Sequence, residues 1–246
     1  MSLPEHHPYG TARSQFGELF LPDGDGPFPV AVLIHGGFWR ARHGRKQSRP
    51  LCTDLAARGW AAWNVEYRRL GDGGGFPRTL DDVAAAVDHL TEVPAHRPGA
   101  LDLSRVVAIG HSAGGHLAAW LATREVTRVP VTGVVAQAGV LDLRMASALA
   151  LSDGVVHELL GGTPEEQPAR YALASPAERL PLGVPALVIH GDRDEIVPLA
   201  ISESFAAAAT AAGDDVELVV ASGEDHFGHL DPRNPLWTAV TAWLTR

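Results

Sequence analysis

The chain has 246 residues, of which 46% are hydrophobic and 20% are charged, and its formal net charge at pH 7 is −9. This share of apolar residues suffices for a sizeable buried core and excludes an intrinsically disordered chain, which would be poor in apolar residues. The acidic balance argues against a nucleic-acid-binding surface, which would carry an excess of arginine and lysine.

A single cysteine, Cys52, excludes a disulfide within the chain and a metal cluster built on thiolates. None of the 12 histidines stands in the H-E-x-x-H or H-x-x-E-H pattern of a metal-binding helix. The N-terminal stretch MSLPEHHPYG lacks the features of a signal peptide, and no segment approaches the roughly 18 apolar residues of a membrane span. We therefore expect a single cytoplasmic domain over residues 1–246, with no metal or cofactor and no nucleic-acid or membrane partner. A homodimer is left open.

Strand-like and helix-like patterns alternate along the chain. A short apolar-rich segment at 16–21 precedes predicted strands at 30–34, 60–67, 106–109, 131–136, 185–189 and 216–220. The helix-like segments are 47–58, 79–90, 112–123, 199–212 and 236–244. Strands that are apolar throughout are buried on both faces, so the pattern predicts an α/β fold with a mostly parallel central sheet and helices on both faces. Residues 139–179 break the alternation, and we expect small helices there that form a cap over one end of the sheet.

Polar or glycine-rich segments follow four of the predicted strands. They are residues 35–39 (HGGFW), 110–114 (GHSAG), 190–194 (HGDRD) and 222–227 (SGEDHF). Since ligands of such sheets bind at the carboxyl ends of the strands, we expect all four segments to meet at one edge of the sheet.

The segment GHSAG has the pattern of a tight turn between a strand and a helix. Gly110 and Gly114 stand where side chains would crowd each other, and Ser112 is lifted clear of the sheet at the apex. The free amides at the start of the following helix favour a developing negative charge. A serine helix cap between flexible glycines is the alternative, but the strand before and the helix after favour Ser112 as a nucleophile.

A serine hydroxyl needs a base, and in this fold a histidine that follows both the serine and the acid provides it. His116 lies on the helix after the serine, His157 in the irregular region and His190 at a strand end. His226 and His229 lie in the loop after the last strand. We favour His226 because it follows the strand end sooner, which leaves His229 as a surface or supporting histidine.

Three carboxylates follow the strand at 185–189, namely Asp192, Asp194 and Glu195. We favour Asp194 as the acid, because a carboxylate a few residues beyond the strand can turn back toward the histidine loop. Asp225, next to the base in sequence, is expected to be structural.

The oxyanion of a tetrahedral intermediate needs preorganised N–H groups. One candidate is the backbone N–H of Ala113, after the nucleophile, and the others are those of Gly37 and Phe38, in a loop where glycine lets the backbone approach a substrate. Phe38, Trp39 and His111 are predicted to line the substrate pocket, although Trp39 could also belong to the core.

These residues together resemble the α/β-hydrolases, and within that fold the kynurenine formamidase (arylformamidase) and bacterial carboxylesterase group. The matching residues are His35-Gly36-Gly37-Phe38-Trp39, Tyr67-Arg68, Phe76-Pro77 with Asp82, residues 110–116, His190-Gly191 with Asp194 and Val197-Pro198, and Asp225-His226-Phe227. The resemblance covers the chain from about Tyr9 onward and implies a catalytic triad of Ser112, Asp194 and His226.

The expected function is a serine hydrolase that cleaves small carboxylic esters or aryl formamides through an acyl-enzyme intermediate. A peptidase of the prolyl oligopeptidase type shares the order of the triad, but such enzymes usually carry a propeller domain. A non-catalytic receptor with this fold is the third reading, and such proteins usually lack a triad member.

Overall fold

The computed structural model describes residues 4–93 and 99–246. The strands are β1 (Glu5–Pro8), β2 (Phe16–Phe20), β3 (Phe28–Ile34), β4 (Ala61–Glu66), β5 (Leu101–His111), β6 (Gly133–Gln137), β7 (Ala186–Gly191) and β8 (Val216–Ala221). The α-helices are α1 (Arg49–Ala57), α2 (Arg78–Asp88), α3 (Ala113–Ala122), α4 (Leu143–Ala148), α5 (Leu151–Leu160), α6 (Pro168–Ala174), α7 (Leu199–Ala211) and α8 (Pro235–Trp243).

The strands form one sheet in the order β1-β2-β4-β3-β5-β6-β7-β8. From β4 to β8 every neighbouring pair is parallel, whereas β2 runs antiparallel to both β1 and β4. The predicted α/β fold with a mostly parallel sheet is confirmed. The sequence patterns missed β1, which alternates between half-buried and exposed residues at the edge of the sheet and has no apolar run.

The two faces of the sheet pack against separate sets of helices. In β3, Val30, Val32 and Ile34 belong to the core beneath α2, α3 and α7, while Ala31 and Leu33 belong to the core beneath α1 and α8. Successive side chains of a strand point to opposite faces, so a strand covered on both sides must be apolar at every position. This explains the continuous apolar run of β3.

The longest strand, β5, begins earlier than predicted. It starts at Leu101 instead of 106, and its first five residues are exposed or half-buried. These residues, LDLSR, contain polar side chains that interrupt the apolar run from which the strand was predicted. Only the part of β5 that is buried on both faces has the continuous apolar pattern.

Helices α4, α5 and α6 occupy the predicted cap region. The cap lies over the loops that follow the strands: Arg40, in the loop after β3, donates to the carbonyl of Ser152 and contacts Glu158 at 3.0 Å. Trp120 of α3 donates to the carbonyl of Leu173 in α6. Within the described residues, no helix combines the length and apolarity needed to cross a bilayer.

Candidate active site

Ser112 stands alone in the turn between β5 and α3, with φ 55° and ψ −120°. A side chain at this φ is strained, and non-glycine residues keep such a conformation only where the surrounding structure enforces it. The surroundings here are backbone atoms: a Cβ at Gly110 would collide with the carbonyl of Gly114, and a Cβ at Gly114 with the carbonyl of Ile34. The two glycines thus permit the tight turn that presents the serine.

Residues 35–39, which we call the oxyanion loop, lie directly against this turn. A Cβ at Gly36 would be 3.0 Å from the Cβ of Ser112, so the loop and the serine are in close contact. Gly37 and Phe38 have φ values of 112° and 52°, and Phe38 is half-buried. Ala113 is the first residue of α3, so its N–H has no acceptor within the helix. That these three N–H groups bind an oxyanion stays a prediction.

The base of the oxyanion loop is anchored by a buried polar network. His35 contacts Glu66 at the end of β4 through Nε2, at 3.0 Å, and the Tyr67 hydroxyl donates to the His35 carbonyl. Burial by itself raises the pKa of Glu66, but His35 and the neighbouring Arg69 lower it to about 2. The ionised Glu66 therefore holds the loop at the strand end.

Asp194 and His226 are brought together from the loops after β7 and β8. The Asp194 Oδ2 atom is 2.6 Å from His226 Nδ1, and Oδ1 accepts hydrogen bonds from the N–H groups of Ile196 and Val197 at 2.8 Å. The Asp194 side chain is fully buried. Burial raises the pKa of this carboxyl, but hydrogen bonds from His190 and His226 outweigh it and hold the pKa well below its usual range.

The alternative acids lie elsewhere. Asp192 is exposed and accepts a hydrogen bond from the Gly223 N–H at 2.6 Å, and Glu195 is exposed as well. Asp225 caps the next turn by accepting from the N–H groups of Phe227 and Gly228, which agrees with the structural role expected for it. The geometry favours Asp194.

His111, next to Ser112, links the serine turn to the histidine loop. Its ring lies 4.5 Å from the His226 ring between centroids, and its Nε2–H donates to the His226 carbonyl at 2.8 Å. Burial and the neighbouring His226 lower the pKa of His111 to about 3. The neutral ring therefore keeps its proton on Nε2. Its predicted place in the substrate pocket stays a prediction.

His229 is fully buried, which rules out the surface position and leaves the supporting role among the two alternatives expected for it. Its ring lies 5.7 Å from the His111 ring, and across residues 4–93 and 99–246 neither of its ring nitrogens has a hydrogen-bond partner. Burial, followed by the nearby histidines, lowers its pKa well below the ordinary value. A ring without contact to a carboxylate is a poorer base than His226, which Asp194 orients.

Trp39 belongs to the core, and the prediction that it lines the pocket is not supported. It is fully buried, and its indole N–H donates to His116 Nδ1 at 3.2 Å. His116 Nε2 in turn donates to the Ala174 carbonyl at 2.9 Å. The chain of contacts fixes the oxyanion loop to α3 and to the cap, and it turns His116 away from the serine.

The sequence of this chain matches the BD-FAE family over residues 18–208, well over half of its length. The chain belongs to the BD-FAE family. This BD-FAE chain is 28% identical over 198 residues to the esterase LipQ of Mycobacterium tuberculosis, a match that covers 75% of the chain and 46% of LipQ. It is 25% identical over 233 residues to the kynurenine formamidase of Danio rerio, covering 91% of the chain and 74% of that protein.

A solved structure with the same fold is a truncated carbohydrate esterase from gut microbiota, with a TM-score of 0.84 and 22% identity. The alignment covers 99% of the BD-FAE chain and 95% of that structure. The expected resemblance to α/β-hydrolases, and to their esterases and formamidases, is confirmed. The chain spans about half the length of the first curated relatives it matches.

One member of the site in this BD-FAE chain was not predicted. His190, the second-last residue of β7, is fully buried and contacts Asp194 Oδ2 at 3.0 Å and the Val197 carbonyl at 2.9 Å through Nε2. Its Nδ1 lies 2.8 Å from the Ser202 hydroxyl. His190 therefore orients the carboxylate that orients His226. Its position four residues before Asp194, at a strand end, was the available signal.

Proposed function

We propose that the protein is a serine hydrolase that cleaves small carboxylic esters or aryl formamides, with Ser112 as nucleophile, His226 as base and Asp194 as the orienting acid. The observation that carries the proposal is the buried Asp194–His226 pair, 2.6 Å apart, which His111 links to the strained turn that carries Ser112. The curated relatives named esterase and kynurenine formamidase support the same reaction class.

In the first half of the reaction, Ser112 Oγ attacks the substrate carbonyl carbon while His226 Nε2 accepts the hydroxyl proton. The carbonyl double bond becomes an oxyanion, which the N–H groups of Gly37, Phe38 and Ala113 bind. When the tetrahedral intermediate collapses, the bond to the leaving alcohol or amine breaks. His226 returns the proton to that leaving group, and an acyl-serine ester remains.

In the second half, water takes the place of the serine. His226 accepts a proton from water, the hydroxide attacks the acyl carbon, and the collapse of the second intermediate releases the acid and reprotonates Ser112. Asp194 stays ionised throughout and keeps the His226 proton on Nδ1, so that Nε2 faces the serine as an acceptor. The low pKa of Asp194 suits this role.

The replacement Ser112→Ala tests the nucleophile. We expect the hydrolysis of p-nitrophenyl acetate to fall by at least about a thousandfold, because the covalent route is lost. Ser222→Ala, which removes an exposed hydroxyl in the loop before His226, is the matched control and should retain activity. Circular dichroism checks the fold, and turnover by a folded Ser112→Ala variant would contradict the proposal.

Ester and formamide chemistry are separated by comparing N-formylkynurenine, p-nitrophenyl acetate and a longer acyl ester on the same enzyme. A strong preference for N-formylkynurenine, measured as kcat/KM, would place the protein with the formamidases. Comparable values for the two esters, with little turnover of the formamide, would make it a general esterase.

We further propose that residues 1–246 act as one domain in the cytoplasm. One sheet includes both β1, near the start of the described residues, and β8, near their end. Cys52 is a buried free thiol, and reducing compartments keep thiols in that form. Size-exclusion chromatography combined with light scattering would show whether the protein is a monomer or the homodimer left open by the sequence.

A further inference from the structure

A cleft of about 1030 Å³ opens beside the oxyanion loop, at the carboxyl ends of β3 and β4. One wall is the segment 41–47, and the others come from the turn before β2 and from the loop after β4. The Phe16 ring forms part of the lining, with the guanidinium of Arg45 4.3 Å from its centroid. The reaction proposed above leaves this cleft without a role.

The two carboxylates that line the cleft are already paired. Glu66 lies 3.0 Å from Arg69 and 3.4 Å from Arg45, and Asp72 lies 3.5 Å from Arg69. Arg45 also contacts Glu18 at 2.9 Å. These ion pairs neutralise the buried part of the lining.

Three further cations of the lining have no such partner. Among residues 4–93 and 99–246, no carboxylate lies within ion-pair distance of Arg13, Arg42 or Lys46, and all three are exposed at the cleft. The pKa of His43, in the same wall, is lowered by burial and further by the positive charge of Arg42. The cleft is thus a positive site on a chain with a net charge of −9.

The cleft and the candidate active site share one loop. Gln47, which lines the cleft, donates to the Gly36 carbonyl at 3.3 Å, and a Cβ at Gly37 would collide with His43. Gly36 in turn contacts Ser112. Two strand spacings separate β5, which carries the serine, from β4 at the near side of the cleft, and a third reaches β2, whose Phe16 also lines it, so the separation is on the order of 10–15 Å.

We propose that this cleft binds an oxyanion, a carboxylate or a phosphate, carried by the substrate several bonds away from the carbonyl that Ser112 attacks. The inference rests on the proposed serine hydrolase function and names its substrate class. A cleft lined by unpaired cations concentrates a small anion, whereas the acidic remainder of the surface repels an extended polyanion.

Matched pairs of p-nitrophenyl esters test the proposal. The monoesters of succinic, adipic and suberic acid carry a terminal carboxylate, and butyrate, hexanoate and octanoate are neutral acyl groups of the same length. The phosphonooxyhexanoate ester provides the phosphate arm. We expect one of the anionic series to have a higher kcat/KM than its neutral partner, and the better anion identifies the oxyanion. No preference for either anion at any chain length would overturn the proposal.

The double variant Arg42→Gln/Lys46→Gln tests the residues. For the preferred anionic ester we expect KM to rise roughly fivefold at low salt, with kcat unchanged, because two exposed charges are lost. The neutral ester should be unaffected. Arg58→Gln removes an exposed arginine at the far end of α1 and should change neither substrate. An equal rise in KM for both esters would overturn the assignment.

The two proposals fail in different ways. If Ser112→Ala still hydrolyses p-nitrophenyl butyrate, the serine hydrolase mechanism is wrong. If that variant is inactive but the wild type treats anionic and neutral esters alike, the mechanism stands and only the oxyanion cleft is wrong.

Discussion

Asp194 accepts hydrogen bonds from two histidines and two backbone N–H groups, so its charge is compensated on every side. In Asp194→Asn the amide can no longer hold the His226 proton on Nδ1, and the wrong tautomer faces Ser112. We expect kcat for p-nitrophenyl acetate to fall on the order of 10³- to 10⁴-fold, with a much smaller effect on KM.

Asp192→Asn is the matched control for that variant. It makes the same change two residues away, on an exposed side chain that accepts from the Gly223 N–H. We expect nearly wild-type kcat. If Asp192→Asn lost the activity and Asp194→Asn kept it, the acid would have to be reassigned to Asp192.

The His111 side chain holds the backbone of the loop that carries His226. His111→Phe retains an aromatic ring but removes the donor to the buried His226 carbonyl, so the free energy of unfolding should fall by about 1–3 kcal/mol. Urea denaturation monitored by tryptophan fluorescence measures the loss. His111→Gln, which offers an N–H at a similar reach, should recover part of the stability. Equal stability of the phenylalanine variant and the wild type would show that this hydrogen bond contributes nothing.

At the scale of elements, the turn from β5 to α3 is held by contacts between backbone atoms. Gly114→Ala places a Cβ against the carbonyl of Ile34, which no side-chain rotation can relieve. We expect a loss of at least about 3 kcal/mol in the free energy of unfolding, together with lost activity. Gly133→Ala in β6 is the control, because its Cβ would meet the Trp243 ring at 3.1 Å, and a ring can shift. Similar losses for both variants would contradict this account of the turn.

The elements that the sequence predicted well are those buried on both faces. β3 and the last part of β5 are apolar at every position, and the GHSAG turn is constrained so tightly that its glycines are visible as a pattern. The edge strand β1 was not predicted, because one of its faces is exposed and its sequence has no apolar run. Its strand conformation comes from pairing with β2. Sheet pairing of this kind is a long-range contact that no local pattern encodes.

The site divides in the same way. The position of the loops that carry Ser112, Asp194 and His226 could be predicted, since the carboxyl ends of parallel strands meet at one edge, while the catalytic roles of these residues stay a prediction. The roles of His190 and Trp39 could not, because they depend on which atoms face each other across loops from different strands. Spacing in a sequence carries no information on such contacts until the loops are in place.

At the scale of the whole molecule, the imidazoles of His111 and His116 are buried beside the oxyanion loop. Burial lowers the pKa of His116 to about 4, and burial with the neighbouring His226 lowers that of His111 to about 3. In the unfolded chain a histidine has a pKa of about 6.5. Above pH 6.5 neither the native nor the unfolded state binds the proton, so the stability of the native state is unchanged. As the pH falls below it, the unfolded state takes up the protons first and is stabilised.

The free energy of unfolding should therefore fall between pH 6.5 and 4, and each of these histidines contributes up to about 1.4 kcal/mol per pH unit. His116→Gln removes one titrating group, so we expect a lower stability at pH 7, where contacts to Trp39 and Ala174 are weakened, but a shallower decline toward acid. Urea denaturation at half-unit steps from pH 7 to 4.5 measures the slope. His6→Gln, which replaces an exposed histidine with the same residue, is measured alongside as the control for the substitution. A His116→Gln slope equal to that of the wild type would show that His116 binds its proton as readily in the native protein as in the unfolded chain.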